Sequence, residues 1–480
     1  MRHGKALRVL AVGLLFSVTL WHRSANLASI PPPHACDDEY SYVWVGLTLM
    51  DSGQPVSWSM LPNSHRLGYG LLGGNNYYFV RPAVDHPPAF SLLAAAFAKL
   101  TDLSPMTIRL HPSGTLNLWE INLGQARVLT LIFYAMSFFL LFDIAFLSLG
   151  YGAALTALCI YGFSKPMVIH HRMLVADNFT TVLLLANIAV LQRYLTGLCS
   201  KAAITVVTIS LVPLAAMAKI VAVSQAAAVA AVLIAHNKKR LLWMPIAGTG
   251  LAMAAIAMYG LYVGWDSFLT TQTSQMNRFT GFNLLERLAG THMLVGHAEF
   301  SFVILIGWLC LFGMVFRKRS MIPALVPVTY LAAFTFFSST EKFYGWHNLP
   351  FYPFLCLAIA FAWRQAWRAG GGMPCFVVFC LAAMWLFHGL FTISPAHGKL
   401  LRWGFLVTIA IAAFSLSPST AVVKTSLVRP ALLFLLVCAL GTEYYAANHM
   451  TIRNWPELIL ATTADQENLP PPLEWLPSSK

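Results

Sequence analysis

The chain has 480 residues, 58% of them hydrophobic and only 10% charged, with a formal net charge of +13. A soluble protein is excluded, because apolar stretches of about twenty residues recur, each long enough as a helix to cross about 30 Å of hydrocarbon. A nucleic-acid partner is not indicated either: that needs Lys and Arg gathered on one exposed face, and here they fall in short bursts between apolar segments, at Arg2 to Lys5, Arg193 to Lys201, Lys238 to Arg240, Arg317 to Arg319 and Arg364 to Arg368.

Those bursts mark cytoplasmic loops. The first apolar segment, Ala6 to Trp21, follows basic residues. It reads as a retained signal anchor rather than a cleaved leader ending near Ser24 to Ala28, because the downstream topology counts correctly with it in place. It carries His34-Ala35-Cys36-Asp37-Asp38-Glu39-Tyr40 to the outside. Residues 26–125, richer in Pro, Gly and charge, form a large first external loop, in which Ala89 to Leu100 suits an amphipathic helix on the membrane surface.

After Arg127, crossings are expected at 128–149, 153–169, 174–192, 202–218, 221–236 and 241–264, which puts Lys219 in a short external hairpin. A polar external loop follows over 265–300. Further crossings are expected at 301–316, 321–338, 348–363, 374–393, 401–417 and 430–447. The expectation is an all-α polytopic membrane domain over 1–447 with about thirteen crossings, plus a short external tail over 448–480. The eight cysteines show no metal-type spacing and read as packing residues.

This topology puts a set of polar groups on one face: Asp37, Asp38 and Glu39; Arg81, Asp85 and His86; Arg127; His170, His171 and Arg172; Asp177; Lys219; and Lys342, Tyr344 and His347. Acids beside the first crossing and cations on later ones suit an anionic lipid headgroup. Lys and Arg neutralise phosphate, and a carboxylate can accept a proton from a hydroxyl nucleophile. Each residue also has a plain structural reading. The acids can be a solvated loop, Lys219 can snorkel to the interface, Arg127 and Arg172 can anchor topology, Asp177 can pair with a cation, and Tyr344 can belong to an interfacial aromatic belt.

The order of motifs is specific. Asp38-Glu39-Tyr40-Ser41-Tyr42, continuing through Met50 and Ser52-Gly53, is followed by Tyr78-Phe79 and His86-Pro87-Pro88-Ala89-Phe90. Ala126-Arg127-Val128, Arg172 with Asp177, Ala216-Met217-Ala218-Lys219 and Tyr344 to Pro353 come next. Over about residues 1–365 this set resembles membrane glycosyltransferases of the GT-C type, most closely the branch of protein O-mannosyltransferases and the lipid A aminoarabinose transferase. The resemblance implies Asp38 as catalytic carboxylate with Glu39 beside it and Asp37 as an electrostatic neighbour. It implies Lys219, Arg127, Arg172 and Tyr344 as donor phosphate or sugar contacts, with Asp177 in support. The family's lysine before Pro-Pro is replaced here by His86, and either His86 or Arg81 can stand in for it.

The implied activity is transfer of one sugar, with inversion, from a polyprenyl-phosphate donor to a lipid, glycan or protein acceptor on the extracytoplasmic side of a bacterial inner membrane. Transferases of whole oligosaccharides usually carry a large soluble domain after the membrane region, which a tail of this length does not supply. His34, Asp38, Glu39 and His86 would also permit a divalent metal, though no spacing here is diagnostic of one. The rival class is a secondary transporter or lipid flippase. That class requires ionisable groups near the bilayer midplane and a repeat interface, whereas these charges lie at one membrane edge.

Overall fold

The computed structural model describes residues 2–31, 36, 38–59, 66–72, 75–103, 107–110, 116–120, 122–276, 290–294, 297–300, 302–315, 321–337, 345–370, 372–393, 401–406, 408 and 421–448. The architecture is a bundle of apolar helices bearing small strand pairs. Among the described residues, five helical stretches are long and apolar enough to cross a membrane: Lys5–Ser24, Leu123–Leu149, Lys201–Ala218, Lys239–Val263 and Val428–Asn448. A sixth would be the bent pair Tyr151–Phe163 and Lys165–Arg172. The expected thirteen crossings are thus not established. Several of the expected segments form helices too short or too polar to qualify, and most of 401–417 lies outside the described residues.

The first helix, α1 (Arg2–Ser24), packs on α5 (Val128–Leu149) and α6 (Tyr151–Phe163). Lipid tails are as apolar as these side chains, so helices associate here through close packing at small residues and through hydrogen bonds. Gly162 of α6 provides such a contact, since a methyl group there would overlap Thr19 of α1. Thr19 in turn accepts a 2.6 Å hydrogen bond from the Tyr134 hydroxyl of α5.

The chain turns by 62° between α6 and α7 (Lys165–Arg172). Pro166 lies in the first turn of α7, where its missing N–H costs nothing and its fixed φ starts a helix. All eight residues of α7 are buried, and broken helical backbone at membrane depth is tolerated where protein surrounds it. Its two histidines are accordingly interior. His171 Nε2 lies 2.7 Å from the Tyr161 hydroxyl and His170 Nδ1 lies 2.9 Å from that of Tyr352.

The segment after α1 is more structured than a loop with surface helices. Helix α2 (Asp38–Ser52) packs against α3 (Pro88–Leu100). The two approach so closely at Gly46 that any Cβ would overlap the Ser91 carbonyl. Between them runs a three-stranded antiparallel sheet of β1 (Ser57–Ser59), β2 (Arg66–Leu72) and β3 (Asn75–Val80), with β3 in the middle. A second strand pair, β4 (Thr107–Leu110) with β5 (Leu116–Glu120), precedes α5. Helix α3, expected to be amphipathic, buries six of its thirteen residues along one face against the fold. Next in the chain come α8 (Ala176–Leu195) and α9 (Lys201–Ala218), which pack together. A 3₁₀ turn over Ile220–Val223 leads from α9 into α10 (Ser224–Ala235).

Candidate functional site

Helix α2 begins at Asp38, which is half-buried in the first turn, where the helix dipole favours an ionised carboxylate. The next residue points the other way. Glu39 is wholly buried and takes a two-bond fork from Arg127, with Nε–H to Oε1 at 2.8 Å and Nη2 to Oε2 at 2.7 Å. Its Oε1 also accepts the Leu174 backbone N–H at 2.7 Å. Arg127, likewise wholly buried, donates through Nη1 to the carbonyls of Leu27 and Pro31 at 2.9 and 2.7 Å. This ion pair ties together the segment after α1, the first turn of α2, the entry to α5 and the link from α7 to α8. Both groups are held within the fold rather than presented to a ligand.

Arg172 is committed in the same way. Its guanidinium donates to the carbonyls of Arg23 at 3.1 Å and His22 at 2.7 Å, and to the Asn448 side chain at 3.2 Å. It thereby joins α7 to α1 and to the end of the helix Ala421–Asn448. The expected phosphate or sugar contacts through Arg127 and Arg172 give way to these structural bonds.

A second charged group collects beside Asp38. Asp177, in the first turn of α8, is buried and receives both hydrogen bonds from Lys219 Nζ, at 2.8 and 2.7 Å. Lys219 follows α9 in an extended conformation, which swings its side chain back to the start of α8. It is 13% exposed, and it makes this recessed ion pair from the expected turn between α9 and the helix that follows. Asp177 also lies within electrostatic range of His86 and Asp38. Four charged or titratable groups from residues far apart in sequence, Asp38, His86, Asp177 and Lys219, therefore share one locality.

Tyr42 holds this locality together. One turn after Asp38, its ring lies 5.1 Å from that of His86 and meets Phe90 edge-on at 4.8 Å. Burial raises its pKa well above the ordinary phenol value, and the Asp38 and Asp177 carboxylates raise it further, so Tyr42 stays protonated. Phe90, Phe133 and Phe179 pack together beneath it, with ring centroids 5.6 to 6.3 Å apart. A buried tyrosine, Tyr330 of the helix Met321–Phe337, also feels the Asp177 charge. Sequence reasoning missed both Tyr42 and Tyr330. The four-residue spacing from Asp38 placed Tyr42 on the same helix face, but no local signal pointed to Tyr330.

Arg81 does not join this group. It is exposed, and its Nε donates to the Gln54 side-chain oxygen at a separate cavity. Asp37, Tyr344, Lys342 and His34 lie outside the described residues. No three His, Cys, Asp or Glu side chains converge as a metal site among the described residues, and Glu39 is committed to Arg127. Of the residues expected to permit a divalent metal, His34 lies outside the described residues and Glu39 is bonded to Arg127. None of the eight cysteines forms a disulfide among the described residues.

No protein-family profile matches the chain, and no curated protein matches it in sequence. Among solved structures, ArnT from Cupriavidus metallidurans in the apo state aligns with a TM-score of 0.54 at 12% identity, over 93% of this chain and 77% of that one. ArnT from Cupriavidus metallidurans bound to undecaprenyl phosphate aligns at a TM-score of 0.47 and 13% identity, over 91% and 77%. The apo oligosaccharyltransferase of Archaeoglobus fulgidus aligns at 0.47 and 9% identity, over 92% of this chain and 56% of that chain. At such identities the likeness to apo ArnT is one of fold. The GT-C arrangement expected from the motif order is the arrangement found.

Proposed function

We propose that the chain is an inverting glycosyltransferase that moves a single sugar from a polyprenyl-phosphate donor to a hydroxyl-bearing lipid, glycan or protein acceptor on the extracytoplasmic face of a bacterial plasma membrane. The observation that carries this reading is the gathering of Asp38, Asp177, Lys219 and His86 at the start of α2 and α8. It joins one half-buried carboxylate to cations of the kind a phosphate leaving group needs. The ArnT crystal form bound to undecaprenyl phosphate names a ligand of the class invoked here.

In this reading Asp38 accepts the acceptor's hydroxyl proton as that oxygen forms a bond to the anomeric carbon. The bond from that carbon to the phosphate oxygen breaks on the opposite face, and its electron pair leaves with the polyprenyl phosphate. Lys219 and His86 meet the charge that develops there. The phosphate is a good leaving group, so no separate general acid is needed. Asp177 holds Lys219 in place until the donor phosphate competes for it. Glu39 and Arg127 fix the first turn of α2 and thus the position of Asp38.

The test uses the full chain in lipid nanodiscs with radiolabelled polyprenyl-phosphate sugars and a panel of acceptors. Transfer is expected from the parent and lost in Asp38→Asn. Undiminished transfer by Asp38→Asn would remove Asp38 from the reaction, and coupled ion uptake without sugar transfer would favour a transporter.

A further inference from the structure

We infer that the cavity beside Arg81 is a binding site for the phosphodiester head of an anionic phospholipid, separate from the group around Asp38. The cavity has a volume of about 510 Å³ and lies between the end of α2, the Arg81-Pro82 turn and the junction of α11 (Trp243–Val263) with α12 (Trp265–Met276). Among the described residues that line it, Arg81 is the one cation. Its Nε is used by Gln54, which orients the guanidinium and leaves the two terminal amino groups without a protein partner among the described residues. Paired terminal amino groups match two phosphate oxygens in a fork, a geometry that a lysine does not offer.

One bond crosses the cavity, from the Tyr262 hydroxyl to the Gly53 carbonyl. Beyond its lining, Gln272 and Gln275 of α12 donate to the carbonyls of Val84 and Asp85 at 2.8 and 2.6 Å and so tie α12 to the segment that follows Arg81-Pro82. The cavity is therefore a built recess between elements distant in sequence, not a gap on a loop.

The neighbouring surface identifies the phosphate's source as a lipid. Leu251, Met258 and Tyr262 of α11 are 50%, 65% and 63% exposed. Spacings of seven and four residues put them within roughly 40° of one another on a helix of about 3.6 residues per turn. An exposed apolar stripe thus climbs a span-length helix and ends at a tyrosine lining the cavity. Acyl chains lying along that stripe would deliver their headgroup to Arg81, and anionic lipids are drawn to such basic sites. A free phosphate would make no use of the stripe.

The test places the parent, Arg81→Gln and Arg81→Lys in phosphatidylcholine nanodiscs doped with a photo-crosslinkable phosphatidylglycerol. Crosslinks are expected on the 53–55 and 262–267 segments in the parent. They should fall about tenfold in Arg81→Gln and partly in Arg81→Lys, with thermal unfolding unchanged. Excess inorganic phosphate is expected not to displace the lipid. The inference is overturned by equal labelling in Arg81→Gln, by crosslinks confined to other segments, or by displacement with inorganic phosphate, which would make the recess a site for free anions. None of these outcomes depends on whether sugar transfer occurs.

Discussion

Arg127 and Glu39 form a two-bond ion pair 88 residues apart in sequence, with both side chains entirely out of solvent. A buried pair of this kind contributes little over an apolar substitute, but removing one member strands the other charge at a cost of about 3–5 kcal/mol. Glu39→Gln and Arg127→Met are each expected to lower the unfolding midpoint sharply in detergent. The double variant should lose less than the sum of the two, because no lone charge remains. A strictly additive result in a thermal-unfolding double-mutant cycle would contradict the pairing.

Asp38 sits one residue away with a different environment, and its variant should behave in the opposite way. Asp38→Asn keeps the size of the side chain at a half-buried position, so its unfolding midpoint should match the parent within the scatter usual for surface changes, about 0.5 kcal/mol. Sugar transfer should fall by about 10² to 10⁴, the range for a positioned base. Unfolding and transfer measured on one preparation check both halves.

Lys219 and Asp177 bond each other directly, yet their substitutions are expected to move donor binding in opposite directions. Lys219→Met removes the ammonium and should weaken polyprenyl-phosphate binding at least tenfold, about 1.4 kcal/mol. Asp177→Asn frees the ammonium from its partner and should bind the phosphate as well as the parent or better, while unfolding at lower temperature. Equal loss of binding in both variants, measured by lipid titration, would mean that the pair serves the fold alone.

Gly46→Ala tests the packing that presents Asp38. The new methyl would overlap the Ser91 carbonyl of α3, a backbone atom that cannot rotate away. Overpacking of this sort costs about 1–3 kcal/mol. Separation of α2 from α3 should also displace His86, just before α3, from Tyr42. Reduced transfer together with a lowered unfolding midpoint is expected, whereas Gly250→Ala, which meets open space, should leave both unchanged.

Local features were readable from the chain in proportion to how local their causes are. Apolar length alone placed α1, α5, α9 and α11, and the apolar run from Ala89 to Leu100 placed α3. The start of α8 was found despite Asp177 and Asn178, because the apolar run behind them is long. What the chain did not disclose was which charges are already occupied. Arg127, Arg172 and Glu39 look like ligand groups in one dimension because their partners are carbonyls and side chains brought in by folding from 88 to 276 residues away. The strands of the first loop were equally hidden, since β2 and β3 carry glycine, asparagine and tyrosine rather than a clean alternation.

Helix α7 has protein on every side and meets no lipid. A change in bilayer thickness acts on helices that touch acyl chains, through tilt and stretching at their flanks. The group around Asp177 hangs from the end of α7, five residues beyond Arg172, and is therefore insulated from the mechanics of the membrane. Chemistry carried out there should proceed alike in thin and thick bilayers, while α11, bare along one flank, would register the difference.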